Sequence, residues 1–278
     1  MNDSELKEIE TLASGLPEPA LKKAFDGDAS AQSEVMERME QMLTEQLTLP
    51  KVERLTFLLL KKWYEEGNKE TLRYLPNFCS TGKSHVTDTE SEMRDAIVYA
   101  LEAESLGFGR GSEFELYAAY SGRYPDLCDG DFRKADGYLL KAVKKCDPRA
   151  LIVYGAVIET GSLRERISAL ECYEKAGANG SPDGYLFAVR MLYDNEFRSM
   201  VPNGAQRYAD DAKQTITHGR AEGYFYLAYA YMDGTLGNNV NVAMMLLMEG
   251  AKLGDEKCIR ARDSLFNLYN AELPSDML

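Results

Sequence analysis

One stretch decides the fold: AEGYFYLAYAYMDGTLGNNVNVAMMLLMEGAKLGD, Ala221–Asp255. It contains two apolar segments, and a glycine follows each of them, Gly234 and Gly254. In the second segment Ala243 and Gly250 are seven residues apart with a bulky residue between them, a spacing that places all three on one face of an α-helix. Glycine commonly ends helices because it adopts the left-handed backbone conformation without a Cβ clash. The stretch therefore predicts two successive helices, each with a glycine stop.

The second segment recurs along the chain. Four copies share a small residue, a bulky residue three positions later, another small residue after seven and a terminator after eleven; a weaker copy starts with Tyr208 and ends at Gly219. The spacings between copies are 39, 34, 39 and 35 residues, a period typical of stacked helix pairs, in which no single pair can bury its own apolar face. The copies start at Ala96, Ala135, Ala169, Tyr208 and Ala243, and their terminators are Gly107, Cys146, Gly180, Gly219 and Gly254.

Another short helical segment precedes four of these helices. Most of these first helices end in a turn residue at a similar position within the repeat. A loop of variable length follows, such as GRYPDLCDGD or EFRSMVPNG. We therefore predict an all-α fold, a right-handed superhelical solenoid of antiparallel helix pairs. The first helices begin near Glu113, Arg149, Pro182 and Ala221, and their turn residues are Gly122, Gly161, Asn195 and Gly234.

The ends of the chain differ from this array. Residues 1–87 are expected to form an irregular, acidic helical region, in which Val35, Met36, Met39 and Leu43 recur at helical spacing and Trp63 is a packing residue. Residues 255–278 are expected to form a capping helix and a tail. The array itself is assigned to residues 88–254, with second helices near 92–106, 131–145, 165–179, 204–218 and 240–253.

The repeats resemble the Sel-one-like repeat (SLR) family, a relative of the tetratricopeptide repeats. The resemblance covers about residues 88–254 and departs from the consensus at Tyr208 and Cys146. It implies a superhelical scaffold that binds other proteins, commonly in bacteria, and it does not name a partner. The matching positions are Leu227, Ala228, Tyr231, Gly234, Ala243 and Gly254 in one unit, and Ala150, Gly155, Gly161, Ala169, Lys175, Ala176 and Gly180 in another.

Charge limits the classes of partner. The net charge of −13 and a pI near 4.8 argue against nucleic acid, because duplex binding needs Lys and Arg on the phosphates. The same excess disfavours anionic membranes. Residues 1–50 hold 11 acidic and 4 basic residues, a net charge of −7. With neither a basic start followed by an apolar run nor a long apolar segment, the chain is expected to be cytoplasmic.

The stretch NFCSTGKSH, residues 77–85, ends like a nucleotide-binding P-loop. A P-loop needs a glycine five positions before the Gly-Lys pair, and Asn77 occupies that place. The stretch follows the polar segment KETLRYLP rather than an apolar strand, and the next helix is expected to start at a capping box, Thr89 with Glu92. A connecting loop is the interpretation we favour, and no cofactor is expected.

Other catalytic and metal-binding patterns are sparse. The chain has two histidines, His85 and His218, and five cysteines without a CxxC pair. We therefore predict no metal site and no catalytic residues, so the chain is not expected to be an enzyme. The enzyme alternative is a hydrolase-like activity that would involve Cys79 or His85.

The remaining function is protein binding. Tyr226 and Tyr229 lie outside the packing stripe of Leu227 and Tyr231, so they either pack between repeats or face a groove. Tyrosine and arginine dominate protein interfaces. We predict a non-enzymatic scaffold, an immunity or chaperone-like protein that neutralises a basic effector; the alternative is a regulatory adaptor of a signalling or secretion complex. The oligomeric state is left open. The predicted partner-binding residues are Tyr226, Tyr229, Arg190, Tyr193 and Glu115.

Overall fold

The computed structural model describes residues 7, 23–24, 26–28, 30–36, 50–76, 90–108 and 112–271. These ranges contain α-helices and one 3-10 helix and no strand, which confirms the all-α prediction. The chain divides into two compact units, Met1–Lys141 (unit 1) and Ala142–Leu278 (unit 2). None of the described helices combines the length and the apolar character needed to cross a bilayer.

Unit 1 is built from short helices that pack on their neighbours in the chain. Residues 30–36 are helical, and the 3-10 helix contacts both α1 and α2. The named elements are α1 (Pro50–Glu65), the 3-10 helix (Lys69–Arg73), α2 (Glu90–Ser105), α3 (Glu113–Tyr120) and α4 (Phe132–Lys144), whose last turn enters unit 2.

Trp63 lies at the centre of the unit 1 core. Its ring is fully buried, and its indole nitrogen donates a hydrogen bond of 3.1 Å to the carbonyl oxygen of Ala24. The predicted packing role of Trp63 is therefore confirmed. Val35 and Met36 belong to the same core. Met39, Leu43, the stretch 77–85 and Thr89 lie outside the described residues.

Unit 2 consists of helices that pack in chain order: the first helices α7 and α10 each contact the second helix before and after them, and α5 contacts the second helix after it, α6. The second helices of both units begin and end within two residues of the predicted positions. The division into three regions remains a prediction. The helices are α5 (Pro148–Ile158), α6 (Leu163–Ala178), α7 (Gly184–Leu192), α8 (Asn195–Met200), α9 (Gly204–Thr217), α10 (Glu222–Met232), α11 (Val240–Lys252) and α12 (Glu256–Ala271).

The terminators of the five second helices all have positive φ. Four of them are glycine, as the repeat frame predicts. The fifth is Cys146, with φ of 58°, a conformation that crowds a Cβ against the neighbouring carbonyl oxygen. The residue that ends this helix therefore adopts the left-handed conformation even though it is not glycine.

Helices α6 and α7 approach each other through glycines. A Cβ built on Gly184 would lie 2.2 Å from the backbone nitrogen of Gly177. Because the obstacle is backbone, no side-chain rotation relieves the clash. The contact is possible only without a side chain at position 184.

The segment after α7 departs from its prediction as a loop, because it forms the short helix α8. The carboxylate of Asp194 accepts hydrogen bonds from the backbone nitrogens of Glu196 and Phe197 and so caps the helix. Phe197 is fully buried in the unit 2 core. A cap and one apolar anchor are sufficient for a single turn that carries no periodic signal in the sequence.

Candidate functional site

Four aromatic side chains of unit 2 meet where α7 ends beside α10. The centroid of the Tyr193 ring lies 4.6 Å from that of Tyr229, 5.6 Å from Tyr226 and 5.9 Å from Phe225. Phe225 and Tyr229 are four residues apart on α10 and therefore share a helix face. We call these four residues the aromatic patch.

The aromatic patch has an exposed part and a buried part. The side chain of Tyr193 is 38% exposed, whereas Tyr226 is only 3% exposed; Phe225 and Tyr229 are half-buried. The carbonyl oxygen of Tyr226 accepts a hydrogen bond of 3.0 Å from the hydroxyl of Tyr208. Of the two alternatives for Tyr226 the structure shows packing, so the prediction of Tyr226 as a partner-binding residue is corrected.

A charged triad, Arg190, Glu222 and Lys257, borders the aromatic patch. Nη2 of Arg190 donates to both carboxylate oxygens of Glu222, at 3.0 and 3.2 Å. Nζ of Lys257 lies 3.3 Å from the same carboxylate and donates a 3.0 Å hydrogen bond to the Tyr226 hydroxyl oxygen. The triad therefore ties together α7, α10 and α12, which supply one residue each.

The charges of the triad stabilise one another. Burial alone would raise the pKa of Glu222, but the hydrogen bonds from Arg190 and Lys257 outweigh burial and lower it. Burial likewise opposes the charge on Lys257, yet contacts with Tyr226 and Glu222 raise the pKa of Lys257. All three groups are therefore ionised at neutral pH.

Comparison with known proteins identifies the fold. No family model matches the sequence, and no curated protein matches it. The structure is similar to that of a protective antigen present in uropathogenic Escherichia coli strains that displays an SLR fold, with a TM-score of 0.54 and 16% identity over 79% of this chain. It is also similar to a Sel1 repeat protein from Oxalobacter formigenes, with a TM-score of 0.53 and 15% identity over 76% of this chain.

The chain has the SLR fold. This result confirms, at the level of the fold, the resemblance seen in the sequence and the prediction of a solenoid of helix pairs. The chain spans only 45% and 60% of the lengths of the two matched chains. At these identities the likeness concerns the fold alone.

Glu115 differs from the other predicted partner-binding residues, because it belongs to unit 1. It lies in α3 of unit 1 and is fully buried, next to the core residue Leu116. A side chain without exposure cannot contact a partner on the folded protein, so the structure does not support Glu115 as a binding residue. Arg190, Tyr193 and Tyr229 are brought together, and their partner contacts remain a prediction.

A buried acid lies on the second helix α9. Asp211 is 5% exposed, and its Oδ2 atom has no hydrogen-bond partner among the described residues. Burial, reinforced by the negative charge of Glu174 and opposed by Arg207, raises the pKa of Asp211 to about 8. Asp211 occupies the bulky position of the repeat frame, where other copies have Tyr138 or Leu246. Asp211 is therefore a buried acid at a position where these two copies have large, half-buried side chains.

A surface depression of about 630 Å³ lies in the same unit, between α8, the start of α9 and the turn after α10. Its charged lining residue, Arg198, forms an ion pair with Asp233. Because that pair is neutral overall, the depression offers hydrogen-bonding groups rather than a net charge. Its polar lining residues are Asn195, Arg198, Ser199, Asn203, Gln206 and Thr235.

The described residues contain no cluster of three or more His, Cys, Asp or Glu side chains able to hold a metal ion. His218 contacts the Tyr185 ring at 5.3 Å between centroids, and its Nδ1 lies 2.8 Å from the carbonyl oxygen of Gln214. Burial raises the pKa of Cys258 to about 12, which keeps this thiol protonated and poorly nucleophilic. Cys79 and His85 lie outside the described residues.

Proposed function

We propose that this chain is a protein-binding scaffold that captures a partner at the aromatic patch. The observation that carries the proposal is the exposed ring of Tyr193, held against Tyr229 and Phe225. An aromatic ring already fixed by neighbouring rings loses little conformational entropy when a partner covers it. Arginine is also common at interface centres, and Arg190 adjoins the patch.

The SLR fold supports the proposal, because arrays of stacked helix pairs present extended surfaces built from several repeats. The aromatic patch is such a surface, since its rings come from α10 and from Tyr193, the residue that follows the preceding first helix α7. The described residues also lack a metal-binding cluster, and the aromatic patch contains no nucleophile.

The finer proposal is that the partner is a basic effector protein, which this chain neutralises as an immunity protein or protects as a chaperone in the cytoplasm. The acidic excess that would attract such a partner is uneven. Unit 1 holds 17 basic and 27 acidic residues, a net of −10, whereas unit 2 holds 15 basic and 18 acidic residues, a net of −3. Long-range attraction would therefore come mainly from unit 1 and would raise the association rate more than the affinity.

The test is capture of a partner from extracts of the native host. The unchanged chain should retain one protein at a stoichiometric ratio, and the double variant Tyr193→Ala with Tyr229→Ala should retain at least about tenfold less. Phe132→Ala is the matched control, because Phe132 is 72% exposed and lies outside the aromatic patch. Circular dichroism checks that all variants are folded.

Two results would contradict the proposal. One is equal retention of the partner by the double variant and the control; the other is the absence of any stoichiometric partner. The proposal that the partner is a basic effector also predicts that the association rate falls as the salt concentration is raised from 50 to 300 mM. An association rate that does not change with salt would contradict the basic partner but not the scaffold proposal.

A further inference from the structure

The charged triad carries an uncompensated positive charge. Its two cations, Arg190 and Lys257, share the single carboxylate of Glu222, so the triad has a net charge of +1. Unit 2 as a whole is slightly negative, so this local excess is opposite in sign to its surroundings. A partner that contacts the aromatic patch therefore meets a positive border.

Two acids that adjoin the aromatic patch, Asp194 and Asp233, each have a cation of their own. Asp194 follows Tyr193 directly, but one of its oxygens caps α8 and the other lies 3.5 Å from the guanidinium of Arg166. Asp233 is engaged by Arg198. Among the described residues, the carboxylate that forms ion pairs with both Arg190 and Lys257 is that of Glu222.

The two cations can accept a further partner. Their side chains are 41% and 43% exposed. Arg190 has five N–H donors; it donates to Glu222 from Nη2, and its guanidinium also interacts with the Tyr226 side chain. Lys257 uses two of the three donors of its ammonium group, on Glu222 and Tyr226. Donors therefore remain on both side chains for a carboxylate brought from outside.

The aromatic patch and the triad are close enough to be covered by one short peptide segment. Nζ of Lys257 lies 5.1 Å from the centroid of the Tyr226 ring and 5.9 Å from that of Phe225. An extended chain advances about 3.3 Å per residue. Two side chains one or two positions apart can therefore reach the rings and the cations at the same time.

We propose that the aromatic patch and the charged triad bind a partner segment that carries a carboxylate within two residues of an aromatic or large aliphatic side chain. This inference rests on the proposed function and specifies the chemistry of the bound segment. The carboxylate takes the remaining donors of Arg190 and Lys257, while the apolar side chain covers Tyr193 and Tyr229. A basic side chain in the same place would be repelled by both cations. A partner that is basic overall can still present such a segment.

The test selects from a random library of 12-residue peptides displayed on phage, using the full chain as bait. The double variant Tyr193→Ala with Tyr229→Ala, passed over the same library, identifies sequences that need the aromatic patch. Patch-dependent enrichment of Asp or Glu within two positions of an aromatic or large aliphatic residue supports the inference. Patch-dependent enrichment of basic or uncharged sequences overturns it and leaves the scaffold proposal intact. No patch-dependent enrichment overturns both.

An enriched peptide then allows the charges to be tested singly. Lys257→Gln and Arg190→Gln should each weaken binding about tenfold, which is typical for loss of a charged hydrogen bond. Arg220→Gln is the matched control, because Arg220 is 43% exposed and forms a one-to-one ion pair with Asp183. Replacing the carboxylate of the peptide by its amide should weaken binding to the unchanged chain by about the same factor, and much less to Lys257→Gln. Equal effects in all variants would overturn the inference.

Discussion

Arg198 and Asp233 form an ion pair in the interior of unit 2, with side chains 10% and 9% exposed. The guanidinium also stacks on the Tyr208 ring, 4.5 Å from its centroid. Asp233→Ala would leave the arginine charge buried without its partner, so we expect a loss of about 3–5 kcal/mol in the free energy of unfolding. Urea denaturation measures this loss.

The control for this prediction is Asp183→Ala, which removes the partner of Arg220 in a pair that is more than 40% exposed on both sides. An exposed pair contributes about 1 kcal/mol or less. Similar losses for the two variants would contradict the stabilising role assigned to the buried pair.

The second prediction concerns pH and follows from Asp211. Its pKa is about 8 in the folded protein and has an ordinary value of 3.8, so the folded state holds one more proton between these values. Stability should therefore fall as pH rises from about 4 to about 8, by up to about 1.4 kcal/mol per pH unit from this group. Asp211→Asn should remove this contribution, as measured by denaturation at a series of pH values.

Asp210 supplies the matched control for the pH experiment. It is the neighbour of Asp211 in sequence, it is exposed, and a hydrogen bond from Gln206 lowers its pKa. Asp210→Asn should leave the decline of stability between about pH 4 and 8 in place. If Asp211→Asn shows the same decline as the unchanged chain, Asp211 is not the titrating group.

The third prediction uses two glycines in contrasting places. Gly184→Ala should destabilise unit 2 by about 1–3 kcal/mol or more, because the new methyl group meets the backbone of Gly177. Gly137→Ala should instead stabilise the chain by up to about 1 kcal/mol, because Gly137 lies within α4 with nothing within 4 Å of a built Cβ. Thermal denaturation measures the stability of both variants. A lower melting temperature for Gly137→Ala than for the unchanged chain would contradict this prediction.

The fourth prediction concerns the N-terminal segment. Removal of residues 1–50 should loosen unit 1, because it takes away the acceptor of the Trp63 indole and four core residues between Ala24 and Met36. Trp63 is the only tryptophan of the chain, so its fluorescence emission should shift to longer wavelength. Removal of residues 1–22 alone keeps Ala24 and these core residues, so the emission should shift less. A shift in neither variant would contradict the role assigned to this segment.

The helices could be predicted from the sequence because periodicity and stop residues report the same boundaries. The repeat frame requires small residues where helices meet and a left-handed residue where each second helix ends, and both requirements leave a mark at fixed spacing. Gly180 and Gly254 show that mark as glycines with positive φ.

The charged triad could not be predicted in the same way. Arg190 and Glu222 are 32 residues apart, and Lys257 lies on a third helix. Charged residues at half-exposed positions follow no period, so no spacing indicates which of them meet. The only available signal was the repeat period itself, which places equivalent positions of consecutive first helices side by side.

The choice between packing and exposure at Tyr226 could not be predicted for a related reason. If only one face of α10 were buried, Leu227 and Tyr231 would lie in the core and the residues between them would lie at the surface. In the structure α10 packs against α9, α11 and α12, so more than one face of the helix is buried. Counting the neighbours of a helix requires the assembled array, which a single segment of sequence does not reveal.

The left-handed backbone at Cys146 bears on how the array can change by mutation. Cysteine codons differ from glycine codons at one nucleotide, so a single base substitution would give this helix the same terminator as the other four. The strain removed by Cys146→Gly is of the order of 1 kcal/mol. One stabilising change of this size could offset a mildly destabilising substitution elsewhere in the chain, for example one that adapts the aromatic patch to a new partner.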